Sequence, residues 1–416
     1  MKPRKHRANE ENLRLINRIL DAKDPEDLKL IKFYNTAIVP IDELFHESDP
    51  QAEEKNWFIP ICNKEEINRI FNPQDASDYL LKFRAEALFD SYRLQRVVLA
   101  RKKNSSGKWL FSEHFSTEEV DSYTEHLSQE DKERIKDIPK GFIFTFEANG
   151  VCVKTEYGNV IVVSEVLKHF FYYMNLWFFS FGDKNVPSDV SFSALIIAIR
   201  TMLETEAADF ELDPRGEVPR NIHKNCKRHA NKQIEFIFGH EIAHHLLNHL
   251  DEGETIQRPL HVKRNLHNEE NIDQQTQNQT IYSYRQNQEF EADLEAVNRP
   301  NFQSDFEFDF LVQSGVLFFL YLDIFETVSH YMYPPGNRVK THPDPIDRLW
   351  NLYNKTSEKI KLFSREDLMS AIKTCEMAKE YIINEHLPYN IELYENYGSV
   401  YLGSWRGKEL IDRVDY

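Results

Sequence analysis

Residues Ile234 to Leu250 read IEFIFGHEIAHHLLNHL, and the helix expected there organises the rest of the chain. Ile234, Phe238, Ile242, Leu246 and Leu250 recur at every fourth position, the spacing that gives a helix a broad apolar face. Within it lies His240-Glu241-x-x-His244. A spacing of four sets two imidazoles one turn apart on the same face, able to grip one divalent ion. Glu241 is rotated about 100° from His240, because a helix has ~3.6 residues per turn. It can therefore reach a water on that ion without being a ligand, as a general base must. The motif is short enough to arise by chance in a chain with 16 histidines, and both could be ordinary helix histidines. That plainer alternative is weakened because an imidazole on an apolar face needs a polar partner.

Such a site requires a third protein ligand. The metzincin pattern, with glycine three and histidine six residues after the second histidine, is excluded by Leu247 and Leu250. Downstream, Gln288-Glu289-Phe290-Glu291-Ala292-Asp293-Leu294 places Glu289 and Asp293 on one helical face. Glu289 can complete a His₂Glu set and Asp293 can orient a ligand imidazole from behind, with Glu291 turned to solvent. An exposed acidic helix is the simpler alternative for this segment. In Thr341-His342-Pro343-Asp344-Pro345-Ile346-Asp347-Arg348-Leu349, two prolines set an extended approach to a helix beginning near Ile346. This can project His342 and Arg348 toward a developing oxyanion. Taken alone, it is equally a proline-bounded helix start with a surface arginine. His245 and His249 fall off the metal face, where packing or solvent contact is expected. His223, His229, His261 and His267 lie in polar segments and are not expected as ligands. Tyr282 and Tyr284 stand close enough before Glu289 to line a cleft.

The ordered set HEIAHH, QEFEADLEA and THPDPIDRLWNL resembles the gluzincin metallopeptidases of the group containing the CAAX prenyl proteases and HtpX, over roughly residues 160–355. The resemblance implies one zinc ion per chain held by His240, His244 and Glu289. It also implies base catalysis by Glu241 and stabilisation of the intermediate by His342 and Arg348. Members of that group usually span the membrane several times. The HEIAHHLLNH helix resembles the soluble ImmA/IrrE regulators and Lit-type phage-exclusion peptidases as well, implying a role in bacterial stress response or phage defence. The expected function is a zinc-dependent endopeptidase acting on a protein or peptide substrate. The alternatives are a non-cleaving zincin scaffold that binds or senses a ligand, and a purely structural metal site.

Composition narrows the field in the same direction. Lysine and arginine total 51 against 68 acids, a net charge of −17, which argues against nucleic-acid binding through clustered basic residues. The same balance argues against a polybasic membrane-surface protein. The 13 glycines form no dinucleotide fingerprint, phosphate loop or nucleophile elbow. Cys62, Cys152, Cys226 and Cys375 lie far apart, as in a reduced cytoplasmic protein. The basic start, Met1 to Arg7, has no apolar stretch behind it and does not read as a secretory signal. Phe170–Gly182 and Phe310–Leu322 are uncharged runs of 13 residues each, short of the ~20 a spanning helix needs. Buried helices and no transmembrane span are expected, with peripheral membrane association left open.

The expected fold is α+β and zincin-like, a small antiparallel sheet over an active-site helix with mostly helical flanks. Three regions are expected: an accessory domain over 1–140, a catalytic domain over 141–355 and a helical extension over 356–416. Helices are expected at Asn12–Ala22 and from Asp78, capped by Ser77, to about Lys103. Phe142–Phe146, Val151–Thr155 and Val160–Val163, with turns at Asn149-Gly150 and Gly158-Asn159, predict a three-stranded antiparallel meander. Its edge is the expected docking site for an extended peptide. Helices follow at about Glu165–Phe181 and Ser193–Glu206, and Ser364-x-x-Asp367 opens another reaching about Glu385. Residues 251–288 are expected as a mobile polar loop, because 267–280, HNEENIDQQTQNQT, hold one apolar residue, Ile272.

Overall fold

A computed structural model describes residues 30–33, 37–40, 44–46, 48–89, 91–145, 148–252, 254–260, 278–334 and 342–407. The helix expected at Asn12–Ala22 lies outside the described residues, as do 261–277 with His261 and His267. Among the described residues the first elements are β1 (Leu30–Phe33) and β2 (Ala37–Pro40), which pair antiparallel. Helices α1 (Ala52–Phe58), α2 (Lys64–Phe71), α3 (Ala76–Phe89) and α4 (Tyr92–Asn104) follow. The single helix expected over Asp78 to Lys103 is thus two. Ser91 ends the run by capping α4, its hydroxyl accepting from the Leu94 amide at 3.4 Å. Nor does Ser77 cap α3. It lies inside the helix, and Asp75 Oδ1 accepts the Asp78 amide at 2.9 Å.

After α5 (Glu118–Glu125) and α6 (Gln129–Ile135) comes the sheet: β3 (Lys140–Ile143), β4 (Gly150–Thr155), β5 (Gly158–Ser164), β6 (Glu254–Pro259) and β7 (Asn278–Ser283). Its order is β3-β5-β4-β7-β6. The expected meander is wrong in one pairing. β3 lies parallel to β5, with Lys140 opposite Ile161, so the sheet is mixed and not purely antiparallel. Asn149-Gly150 makes no hairpin, because the chain leaves the sheet after Ile143 and Gly150 already pairs with Val163. The β4–β5 hairpin does form, closing on Thr155 opposite Gly158, two residues earlier than expected. The sheet edges are β3 and β6, so β4 and β5 are interior and the expected docking edge over 142–163 survives only at β3. Residues 251–288 are not all loop. β6 and β7 pair along Glu254 to Pro259, with Ile256 opposite Ile281, and Ile281 is buried beside Val151, Val153 and Val160.

The remaining helices are α7 (Val166–Ser180), α8 (Ser188–Met202), α9 (Arg220–Leu246), α10 (His249–Glu252), α11 (Gln286–Asn298), α12 (Asp305–Met332), α13 (Pro345–Thr356), α14 (Arg365–Tyr381) and α15 (Leu387–Glu395). α14 opens on the expected box, Ser364 and Asp367 each capping the other's amide. α8 begins and ends earlier than expected, and Glu204, at φ +63°, turns the chain beyond it. α9 is the central rod. From Gln233 to His244 every residue is buried, which accounts for an apolar run wider than one face. One apolar core runs without a break from Phe58 to Leu402, so the described parts of the expected accessory and C-terminal regions share it. Phe170–Gly182 and Phe310–Leu322 lie in or beside α7 and α12, as buried helices. Among the described residues α12 is long and apolar enough to cross a membrane, and 83% of its apolar window is buried inside the fold.

Candidate metal centre

α9 presents His240 and His244 one turn apart, and α11 crosses it so that Glu289 meets them. His240 Nε2 and His244 Nε2 stand 3.1 Å apart. Glu289 Oε2 is 3.5 Å from His240 Nε2, and Oε1 is 3.8 Å from His244 Nε2. Donors held ~2.0–2.1 Å from one tetrahedral ion lie roughly 3.3 Å apart, so the three separations bracket what a common ion requires. All three side chains are buried, and their ligand atoms fall within 4.8 Å of one another. Among the described residues Glu241 Oε2 has no hydrogen-bond partner, and neither Glu289 oxygen has a well-aligned one, although Glu289 Oε2 lies within ion-pair reach of His240, His342 and Arg348. Orphaned buried carboxylate oxygens are costly and point to an unseen partner such as an ion or water. A buried His₂Glu cluster that can hold a metal ion is therefore present.

The carboxylate expected behind the cluster is in place. Asp293 Oδ1 accepts from His240 Nδ1 at 2.9 Å, which leaves Nε2 free to face the centre. Arg348, on α13, grips Asp293 with two hydrogen bonds, Nε to Oδ2 at 2.8 Å and Nη2 to Oδ1 at 2.6 Å. Its Nη1 stands 3.4 Å from Glu289 Oε2, and its guanidinium lies over the Phe319 ring at 4.8 Å. Arg348 is thus buried behind Glu289 and Asp293 as a brace. His342 approaches from the other direction, Nδ1 lying 3.1 Å from Glu289 Oε2, and its side chain is 42% exposed. Of this group it alone reaches open solvent.

The charges respond to this crowding. Burial pushes the Glu241 carboxyl up to about 7, the neighbouring Glu289 adding to the rise against the pull of His240. Burial works against charge on His240, yet the hydrogen bond and charge of Asp293, then Glu289, hold it up at about 9. Burial, and then the adjacent His240, hold His244 well below the ordinary imidazole range. Glu289 stays ionised despite burial because His342, His240 and Arg348 surround it, and Arg348 does the same for Asp293.

Two glycines set the spacing around the motif. A Cβ on Gly150, at the start of β4, would fall 2.5 Å from Glu241 Cγ. A Cβ on Gly239 would meet the Tyr123 ring of α5 at 2.5 Å, and the Tyr123 hydroxyl donates to Ala296 O of α11 at 2.9 Å. A mid-helix glycine costs about 1 kcal/mol against alanine. Here it lets one aromatic ring tie α9 to α11.

Tyr284 lines the centre as expected, stacked on His244 at 3.5 Å with planes 9° apart. The side chain of Tyr282 lies outside the described residues. His245 is partly buried against Arg134 O, off the metal face, and His223 pairs with the Tyr172 hydroxyl. His229 is buried, not polar-facing, its ring between Phe179 and Phe310. His249 departs from expectation: its Nδ1 lies 2.9 Å from His244 Nδ1, and its Nε2 lies 3.2 Å from Glu291 Oε2. The residue missed is placed by Asn248, at φ +59°, which reverses the chain after α9. Asparagine before the second histidine-rich turn was the available signal, since it tolerates the left-handed region better than most residues. Comparison with known protein families, curated proteins and solved structures returned no match.

Proposed function

We propose that the chain is a zinc-dependent endopeptidase of gluzincin, zincin-like type, with His240, His244 and Glu289 as ligands of one zinc ion per chain and a peptide segment of a protein as substrate. The observation that carries the reading is the position of Glu241. Its carboxylate, with Oε2 unpartnered, borders a buried His₂Glu set, and burial pushes it up to about 7. A general base works best with a pKa near the working pH, and a structural metal site has no use for one.

When bound, zinc polarises the scissile carbonyl and brings the pKa of water toward ~7. Glu241 takes the proton released at Oε2 and returns it to the leaving amine. Asp293 fixes His240 with its Nδ1 protonated, and Arg348 fixes Asp293, so Nε2 does not have to reorient. His342, the exposed member, donates to the oxyanion. Arg348, committed to Asp293 and Glu289, acts through the ligands and does not reach the substrate. An intracellular role in bacterial stress response or phage defence belongs to the same proposal.

The decisive experiment replaces Glu241 by Gln and compares new peptide termini in cells expressing either form. Glu241→Gln should keep its zinc and lose cleavage. Equal cleavage by both forms would end the mechanism, and zinc binding without cleavage by either would favour a scaffold that binds or senses.

A further inference from the structure

His244 must turn Nε2 inward if it is to meet His240 Nε2 and Glu289 around one ion. Its single ring proton then sits on Nδ1, which faces His249 Nδ1 at 2.9 Å. Two imidazole nitrogens can share only one proton in that gap, so His249 Nδ1 accepts and its own proton resides on Nε2. There Glu291 Oε2, at 3.2 Å, receives it. We infer that His249, oriented by Glu291, is the positioning residue for the metal ligand His244, just as Asp293 is for His240. The inference rests on the metal-site reading above and adds a residue to it.

Three features argue that the arrangement is built. Asn248 takes a left-handed conformation at φ +59°, so the chain doubles back and α10 starts with His249 against α9. Arg134 Nη2 donates to Asn248 Oδ1 at 3.0 Å, holding that reversal from α6. Tyr284 stacks on the His244 ring, leaving in-plane rotation to be settled by the hydrogen bond at Nδ1. His249 itself is buried at 6% exposure, whereas Glu291 has a side chain 58% exposed and can adjust to it. A ligand imidazole most often donates to a carboxylate or carbonyl. Here a second imidazole relays the contact from a surface carboxylate.

The test measures zinc affinity of the full chain by competition with a chromophoric chelator, for wild type, His249→Phe and His249→Asn. Loss of an outer partner of a ligand commonly weakens metal binding about ten- to a hundredfold. His249→Phe should show that loss. His249→Asn, whose Oδ1 can accept from His244 Nδ1 as the imidazole did, should recover affinity to within a few-fold of wild type. Nitrogen-15 spectra of the zinc-loaded wild type should show His244 protonated at Nδ1 and His249 at Nε2. If wild type binds zinc and His249→Phe binds it equally well, or if His249 carries its proton on Nδ1, the positioning role is overturned while the metal site stands. If wild type binds no zinc, the metal-site reading falls and takes this inference with it.

Discussion

Gly150 and Glu241 pack too closely for a side chain at position 150: a methyl group on Gly150 would sit 2.5 Å from Glu241 Cγ and 3.0 Å from Oε1. The first residue of β4 therefore fixes the height of the sheet above the helix that bears Glu241, the proposed base. Gly150→Ala must push Glu241 aside, since both are buried. A base misplaced by about 1 Å can lose ~10²-fold in rate. The expected outcome is a turnover loss of at least tenfold with zinc content unchanged. Cleavage assays paired with elemental analysis check it, and wild-type turnover in the alanine variant would refute the constraint.

Arg348 and Asp293 form a bidentate pair, both buried. Removing one partner leaves an uncompensated buried charge, which commonly costs about 3–5 kcal/mol. Asp293→Ala should therefore destabilise the fold by that amount and also weaken zinc binding, because His240 loses its acceptor. Arg348→Met should cost a similar amount, since it leaves the buried Asp293 carboxylate without its guanidinium partner and also loses the contact of that group with the Phe319 ring. Urea unfolding of the two variants measures both losses. Equal, small losses would place the pair outside the stabilising core.

Much of the centre was legible because its periodicity is local. Repetition every fourth residue in α9 set His240, Glu241 and His244 on a helix, and the same rule paired Glu289 with Asp293. The prolines before Ile346 announced α13, with the helix starting at Pro345. What local pattern cannot carry is pairing at a distance. The parallel partnership of β3 with β5 depends on how the chain leaves the sheet after Ile143, and Gly150, taken for a turn residue, serves a contact with a side chain 91 positions away. His249 was misplaced for a related reason: extending α9 through Leu250 ignored the reversal at Asn248.

Zinc should be a stabilising ligand in its own right. A ligand that binds only the folded chain contributes RT ln(1 + [L]/Kd), about 2.7 kcal/mol at a hundredfold excess over Kd. Chelator treatment should lower the melting temperature of wild type, and zinc should restore it. Glu289→Ala removes one of the three proposed ligands and should abolish most of that zinc-dependent shift. Calorimetry with and without zinc decides the matter, and an undiminished shift in Glu289→Ala would move the third ligand elsewhere.

The pH profile of stability offers a test away from the metal. His229 is buried between Phe179 and Phe310, and burial, with Arg228 beside it, lowers its pKa to about 4. An unfolded histidine titrates near ~6.5. Between these values the unfolded chain binds the extra proton, so stability is full above about pH 6.5 and is lost as pH falls through about 4. From pH 7 to pH 5 this one group should remove roughly 2 kcal/mol. His114 is likewise lowered to about 4, chiefly by burial, and adds to the loss in the same window. His229→Phe keeps the aromatic packing and removes the titration. It should flatten the decline of zinc-free stability between pH 7 and pH 5 by about that amount, and an unchanged slope would show that His229 does not stay neutral in the fold.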